Sequence, residues 1–258
     1  MIGAIAGDII GSVFERHNAQ TKNFELFGPF SIFTDDSVLT VAIADSIMNG
    51  KPYAVKLREY FFKYPNAGYG GGFVNWALTL DAGPYNSYGN GSAMRVSPVG
   101  WVYDNIETVI SVAKDCAQCT HNHPEGIKGA QAVAAAIFLA RKKETKRAIK
   151  SFIAEQFGYD LDRDLEEIRK AGYKFDVSCQ GSVPEAIIAF LGSDSYESAI
   201  RRAIWLGGDS DTIACISGSI AEAFYGGVPD DIKKEALSRL NDNLRSVTEQ
   251  FILKFILK

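Results

Sequence analysis

The chain has 258 residues, 47% of them hydrophobic and 22% charged, with a net charge of −4. That length leaves room for one large domain, and that composition for a substantial buried core. The mild acidity gives no electrostatic footprint for non-specific binding to nucleic acid or to an anionic membrane. No run of about 18 apolar residues occurs, so no spanning helix is expected. The opening residues lack a basic segment, and Asp8 interrupts their apolar run, so they do not read as a signal peptide. Four cysteines, Cys116, Cys119, Cys179 and Cys215, are too few for a disulfide framework in a chain this long. The expected location is the cytoplasm.

The pattern is helical nearly throughout. Ile2, Ile5, Ile9, Ile10 and Val13 fall at helical spacing, while Gly3, Gly7 and Gly11 recur every fourth residue. Each glycine weakens a helix by up to about 1 kcal/mol relative to alanine, but a glycine stripe lets a second backbone come close. Such a helix belongs inside other helices. Thr34 reads as an N-cap with Asp35 and Asp36 in the first turn, Val38 to Ile47 supply an apolar face, and Asn49-Gly50 with Pro52 stop the helix. Further helices are predicted over 52–63, 72–81, 106–119, 125–142, 144–156, 161–170, 184–191, 195–205, 212–225 and 230–254. Asp194 with Glu197 is expected to form a capping box. Residues 172–178 alternate weakly, with nothing to pair with. No linker, low-complexity stretch or repeat divides the chain. The expectation is one all-α domain over 1–258, a compact orthogonal helical bundle with glycine-rich loops at 64–72 and 82–92.

Two loop-to-helix junctions share a composition. Thr34-Asp35-Asp36 and Asp209-Ser210-Asp211-Thr212 each place two carboxylates and hydroxyls where irregular backbone lets neighbouring oxygens converge. Hard oxygen ligands without nearby His or Cys suit Mg²⁺, Mn²⁺ or Ca²⁺ rather than zinc. Either cluster alone is also explained as a helix cap with acids favoured by the helix dipole. If the two met without metal, carboxylates about 4 Å apart would repel by about 4 kcal/mol per pair at an effective dielectric of 20. Two divalent cations would cancel the four charges.

The remaining motifs are weaker. Gly68-Tyr69-Gly70-Gly71-Gly72 and Ser87-Tyr88-Gly89-Asn90-Gly91-Ser92 can cradle phosphates with backbone N–H groups, or simply turn tightly; neither has dinucleotide-binding or P-loop spacing. Cys116, Cys119, His121 and His123 would make a cramped zinc site within eight residues; core cysteines and a histidine lining a pocket fit better. No Gly-x-Ser-x-Gly supports a serine hydrolase. Glu15 taken alone is a solvated helix-end carboxylate.

In order, these segments resemble the ADP-ribosylglycohydrolase family, which includes the dinitrogenase-reductase-activating glycohydrolases. The resemblance runs from Gly3-Ala4-Ile5-Ala6-Gly7-Asp8 and Gly11-Ser12-Val13-Phe14-Glu15 through Phe33-Thr34-Asp35-Asp36-Ser37 and Gly68-Tyr69-Gly70. It continues through Ser87-Tyr88-Gly89-Asn90-Gly91-Ser92-Ala93-Met94-Arg95, Thr120-His121, Val183-Pro184-Glu185-Ala186-Ile187 and Gly207-Gly208-Asp209-Ser210-Asp211-Thr212-Ile213-Ala214. It implies an all-α fold with a binuclear magnesium cleft (manganese as a substitute) held by Thr34, Asp35, Asp36, Asp209, Asp211 and Thr212. It implies further that Glu15 stands at the mouth of the site, and that Gly68, Gly70, Gly72, Ser87, Tyr88, Gly89 and His121 line an ADP-ribose cleft.

The implied reaction is hydrolysis at the anomeric C1″ of ADP-ribose attached to a protein or a small molecule. Metal ions can orient the sugar and acidify an attacking water, with Asp36, Asp211 or Glu15 as the candidate catalytic carboxylates. Some arginine-directed members carry an acidic residue before Gly-Asn-Gly; here Ser87-Tyr88 stands there and Asp81 is distant, a pattern nearer to members acting on O-linked ADP-ribose. A binuclear-metal phosphoesterase and a non-catalytic ADP-ribose-binding or crystallin-like protein are the competing readings.

Overall fold

The computed structural model describes residues 1–257. Every regular element among them is helical, and the one β-bridge joins Gly89 to Ser178. In chain order the helices are α1 Ile2–Gly11, α2 Asp35–Asn49, α3 Tyr53–Lys63, α4 Gly71–Leu78, α5 Gly91–Met94, α6 Ser97–Val102, α7 Ile106–Gln118 and α8 Pro124–Arg141. They continue with α9 Lys146–Phe157, α10 Leu165–Lys170, α11 Cys179–Leu191, α12 Tyr196–Leu206, α13 Ser210–Tyr225, α14 Asp230–Arg239 and α15 Asp242–Phe251, followed by a π-helical turn, Ile252–Ile256. No helix among the described residues is long and apolar enough to cross a membrane.

The pair α1 and α13 forms the centre. All residues of α1 are buried, as is every residue of α13 from Ser210 to Ala223. The glycine stripe explains how they fit. A Cβ on Gly3 would lie 2.5 Å from the Gly218 carbonyl oxygen, one on Gly7 2.2 Å from that of Ala214, and one on Gly11 2.5 Å from the Asp211 Cα. Partner numbers fall as α1 numbers rise, so the two helices run antiparallel at backbone contact. This pairing lays Asp8 beside the start of α13. Around it pack α2, α8, α11 and α12, with an alanine-rich core in α8 from Ala132 to Phe138.

Several boundaries differ from expectation for identifiable reasons. The segment 230–254 is interrupted at Leu240-Asn241, because Asn241 caps α15 by accepting from the Leu244 N–H at 3.0 Å. Helix α11 begins at Cys179, five residues before Pro184, because Ser178 accepts from the Gly181 N–H at 3.1 Å and starts the helix earlier. The cap of α12 is Ser195, which accepts from the Ser198 N–H at 3.1 Å; Asp194 is not the capping residue. Helices α5 and α6 were not anticipated: four and six residues are too few to show a period. The stop of α2 is as expected, with Gly50 in the left-handed region at φ 61°.

Candidate active site

Two helix N-termini converge on the side of α1 that carries Asp8. Thr34 caps α2, its side chain accepting from the Asp36 N–H at 3.3 Å. Ahead of α13, Gly207 and Gly208 adopt φ of 89° and 76°, conformations that favour glycine, and turn the chain so that Asp209 enters the same space. The N-terminal dipoles of both helices favour the carboxylates gathered there.

Asp8, Asp36 and Asp211 each offer a carboxylate oxygen, and these atoms lie within 4.8 Å of one another. Asp8 was overlooked as a site residue. Its carboxylate is wholly buried and accepts from the Thr34 N–H at 3.0 Å, the Thr34 hydroxyl at 2.6 Å, the Ser37 N–H at 3.0 Å and the Ser37 hydroxyl. It therefore shapes the Thr34-Asp35-Asp36 turn as well as adding charge. The signal for it was a lone acid in a helix otherwise apolar on every face.

The second cluster joins the first directly. The Thr212 hydroxyl donates to Asp36 Oδ2 at 3.2 Å. Asn90 Nδ2 donates to Asp209 Oδ2 at 2.7 Å and to Ser182 Oγ at 3.0 Å, tying the glycine loop to the acidic centre. Asp36 Oδ1 is buried without a hydrogen-bond partner.

Charge and burial disfavour ionisation of four of these aspartates. Burial first, then the charge of Asp211, raises the Asp8 carboxyl to about 7. The same two causes lead in holding Asp35, Asp36 and Asp209 well above the usual carboxylate range. Glu15, half-buried, is raised by burial and by Asp211, with Arg16 opposing.

All of these acids except Asp8 line a cleft of about 390 Å³. Glu15, Thr34, Asp35, Asp36, Asp209, Asp211 and Thr212 line it together with Gly68, Gly70, Gly72, Ser87, Gly89 and His121. Two stretches of chain form its opposite wall. Gly68, at φ 103°, is placed so that a Cβ on it would lie 3.5 Å from Asp35 Oδ1, and the Asp35 backbone N–H donates to the Ala67 carbonyl at 2.8 Å. The 85–92 loop is pinned to residues 177–179 by the Asn90 N–H to Val177 carbonyl bond at 2.7 Å and the Cys179 N–H to Tyr88 carbonyl bond at 2.9 Å. These two bonds are what the weak alternation at 172–178 amounts to, and they bring Phe175 and Val177, also unanticipated, to the cleft. Tyr88 is not among the lining residues; its ring packs edge-on against His123, 5.4 Å between centroids. Glu185, from the Val183–Ile187 motif, is paired with Arg163 at 2.8 Å, an ion pair away from the cleft lining.

An all-α protein with a buried cluster of aspartates beneath a glycine-walled cleft has the make-up of a hydrolase acting on a small polar ligand. The sequence profile of the ADP-ribosylglycohydrolase family matches residues 1–257, and the chain belongs to that family. In class it is a hydrolase acting at ADP-ribose. Human ADP-ribosylhydrolase ARH3 is 26% identical, covering 88% of this chain and 84% of its own length. ADP-ribosylarginine hydrolase Tri1 of Pseudomonas putida is 26% identical over 93% of this chain and 74% of its own. A solved structure described as an ADP-ribosylglycohydrolase-related protein complex matches with a TM-score of 0.72 at 24% identity, covering 96% of this chain and 94% of that one. At that identity it speaks for the fold alone.

Proposed function

We propose that this chain is a divalent-metal-dependent hydrolase that releases ADP-ribose by cleaving its C1″ bond to a protein side chain or a small molecule. The observation that carries the metal requirement is the Asp8, Asp36 and Asp211 cluster, buried with one oxygen of each within 4.8 Å of the others and with Asp36 Oδ1 unpartnered. A buried carboxylate oxygen without a donor is a costly feature unless a cation meets it. The donors are all oxygens, the set that Mg²⁺ or Mn²⁺ prefers. Thr34, Asp35 and Asp36 from one junction, with Asp209, Asp211 and Thr212 from the other, would hold two such ions. When bound, the ions supply charge neutralisation and Lewis-acid polarisation of ligand oxygens.

The chain's own groups do the remaining work. Asp8 holds the Thr34 turn in place, and Asn90 orients Asp209. Glu15 stands in the cleft lining with a carboxyl raised above its ordinary range by burial and by Asp211, placed to exchange a proton with water or a leaving group. The glycine walls let the ligand approach the backbone closely, which suits a diphosphate. Ser87-Tyr88, where some arginine-directed members carry an acid, supports an O-linked leaving group.

The test is release of free ADP-ribose from three substrates: ADP-ribosyl-arginine, an ADP-ribosyl-serine peptide and O-acetyl-ADP-ribose, each with Mg²⁺ or with chelator. Metal-dependent release, fastest from an O-linked substrate, is expected. Tight ADP-ribose binding without release from any would make the chain a binding module, and release of phosphate instead would make it a phosphoesterase.

A further inference from the structure

Among the described residues lining the cleft, Arg95 is the only lysine or arginine, against Glu15, Asp35, Asp36, Asp209 and Asp211. It is wholly buried, and its Nε and Nη1 have no hydrogen-bond partner. A guanidinium cannot shed its proton, so this is a permanent charge inside the protein. Its Nη2 donates to the Thr120 hydroxyl at 2.8 Å and to the Cys116 carbonyl at 3.3 Å, and approaches Cys119 Sγ at 3.9 Å. Thr120 Oγ1 in turn lies 2.7 Å from His121 Nδ1. We propose that Arg95 and Thr120 are positioning residues that hold His121 as its Nε2–H tautomer, giving the cleft a fixed N–H donor for an oxygen of the bound ligand.

The direction of the relay follows from which groups can donate. Arg95 can only donate, so one lone pair of the Thr120 hydroxyl is taken. The hydroxyl proton then has two acceptors in reach: His121 Nδ1 at 2.7 Å, or the Ala117 carbonyl at 3.5 Å. The shorter contact takes it, because hydrogen bonds between such groups weaken steeply towards the longer distance. The nearby guanidinium favours the same choice, since it attracts the Nδ1 lone pair and would repel an Nδ1–H. With Nδ1 accepting, the ring's proton sits on Nε2. That nitrogen faces the glycine wall: a Cβ on Gly91 would lie 3.2 Å from it, and one on Gly89 3.5 Å. The Tyr85 ring, 5.8 Å away between centroids, flanks the imidazole, and no carboxylate pairs with it. Burial and the Arg95 charge both hold the imidazolium form down, which keeps the donor neutral and fixed.

The ligand half of this inference rests on the proposed ADP-ribose site; the tautomer does not. The experiment is a long-range proton–nitrogen correlation spectrum of nitrogen-labelled protein, with the His121 signals assigned by His121→Gln, alongside calorimetric titration with ADP-ribose. The expected spectrum shows His121 neutral and protonated at Nε2 near neutral pH. Thr120→Val, which removes the hydroxyl at constant shape, should mix the tautomers and weaken ADP-ribose binding about five- to tenfold, the loss of roughly one hydrogen bond. Thr120→Ser should restore both, which separates relay loss from misfolding. An Nδ1–H or imidazolium signal in the wild type near neutral pH would overturn the proposal. So would unchanged tautomer and affinity in a folded Thr120→Val protein. A locked tautomer in a wild type that binds no ADP-ribose would support the relay while refuting the functional reading.

Discussion

Replacing Asp8 separates its two roles, acceptor and charge. Its carboxylate meets two buried backbone donors, the N–H groups of Thr34 and Ser37, each at 3.0 Å on Oδ2. Asp8→Ala strands both, at about 1–3 kcal/mol each, so a loss of about 2–6 kcal/mol is expected. Asp8→Asn can keep an amide oxygen towards those donors, and the Thr34 hydroxyl can turn to accept from the new NH₂. In chelated protein at about pH 4 it should therefore lie within about 1 kcal/mol of wild type.

The charge then enters with pH. Burial and Asp211 push the folded-state value to about 7, above the ordinary 3.8, so the folded state binds the extra proton. Stability from this group is full below 3.8 and lost as pH rises through about 7. A shift of that size is worth about 4 kcal/mol by linkage. Asp8→Asn lacks this loss and should overtake wild type by up to that amount at about pH 8 in metal-free buffer. Urea denaturation of the three proteins with chelator, at several pH values, measures all of this. An Asp8→Ala protein as stable as Asp8→Asn, or a gap between wild type and Asp8→Asn that ignores pH, would refute the reasoning.

The other predictions concern packing, ligand positioning and acid sensitivity. Gly7→Ala drives a Cβ to 2.2 Å from the Ala214 carbonyl oxygen, so it should cost about 1–3 kcal/mol in thermal denaturation and weaken Mg²⁺ binding by shifting Asp8. Asn90→Ala releases Asp209 and should lower Mg²⁺ affinity by about 10–100-fold in calorimetric titration with little change in melting temperature. His121 is held well below 6.5 by burial and by Arg95, so its stability contribution is present above 6.5 and lost as pH falls. His121→Gln should accordingly flatten the acid side of the stability profile.

Much of this arrangement was legible from local chemistry. A Thr-Asp-Asp cap, a Gly-Gly-Asp-x-Asp-Thr junction and glycines every fourth residue each have a direct physical reading, and the structure places each at a helix start or a backbone contact. What escaped depends on neighbours distant in sequence. Asp8 is one acid in an apolar helix until α13 and the Thr34 turn close over it. The burial of Arg95 depends on Cys116 and Thr120, 21 and 25 residues further along the chain. Phe175 and Val177 reach the cleft only through two backbone bonds to the 88–90 loop. The break before Asn241 was hidden because the apolar period continues across it.

The central claim is that the convergent aspartates make this chain a metal-dependent ADP-ribosyl hydrolase. Its most direct test is the rate of ADP-ribose release by chelated protein before and after Mg²⁺ is restored, for wild type and Asp211→Asn, on whichever substrate is cut fastest. Release should require the metal, and Asp211→Asn should lower it by at least about a hundredfold, the loss that disturbing even an outer partner of a metal ligand can bring. Undiminished release in chelator, with Asp211→Asn as active as wild type, would contradict it.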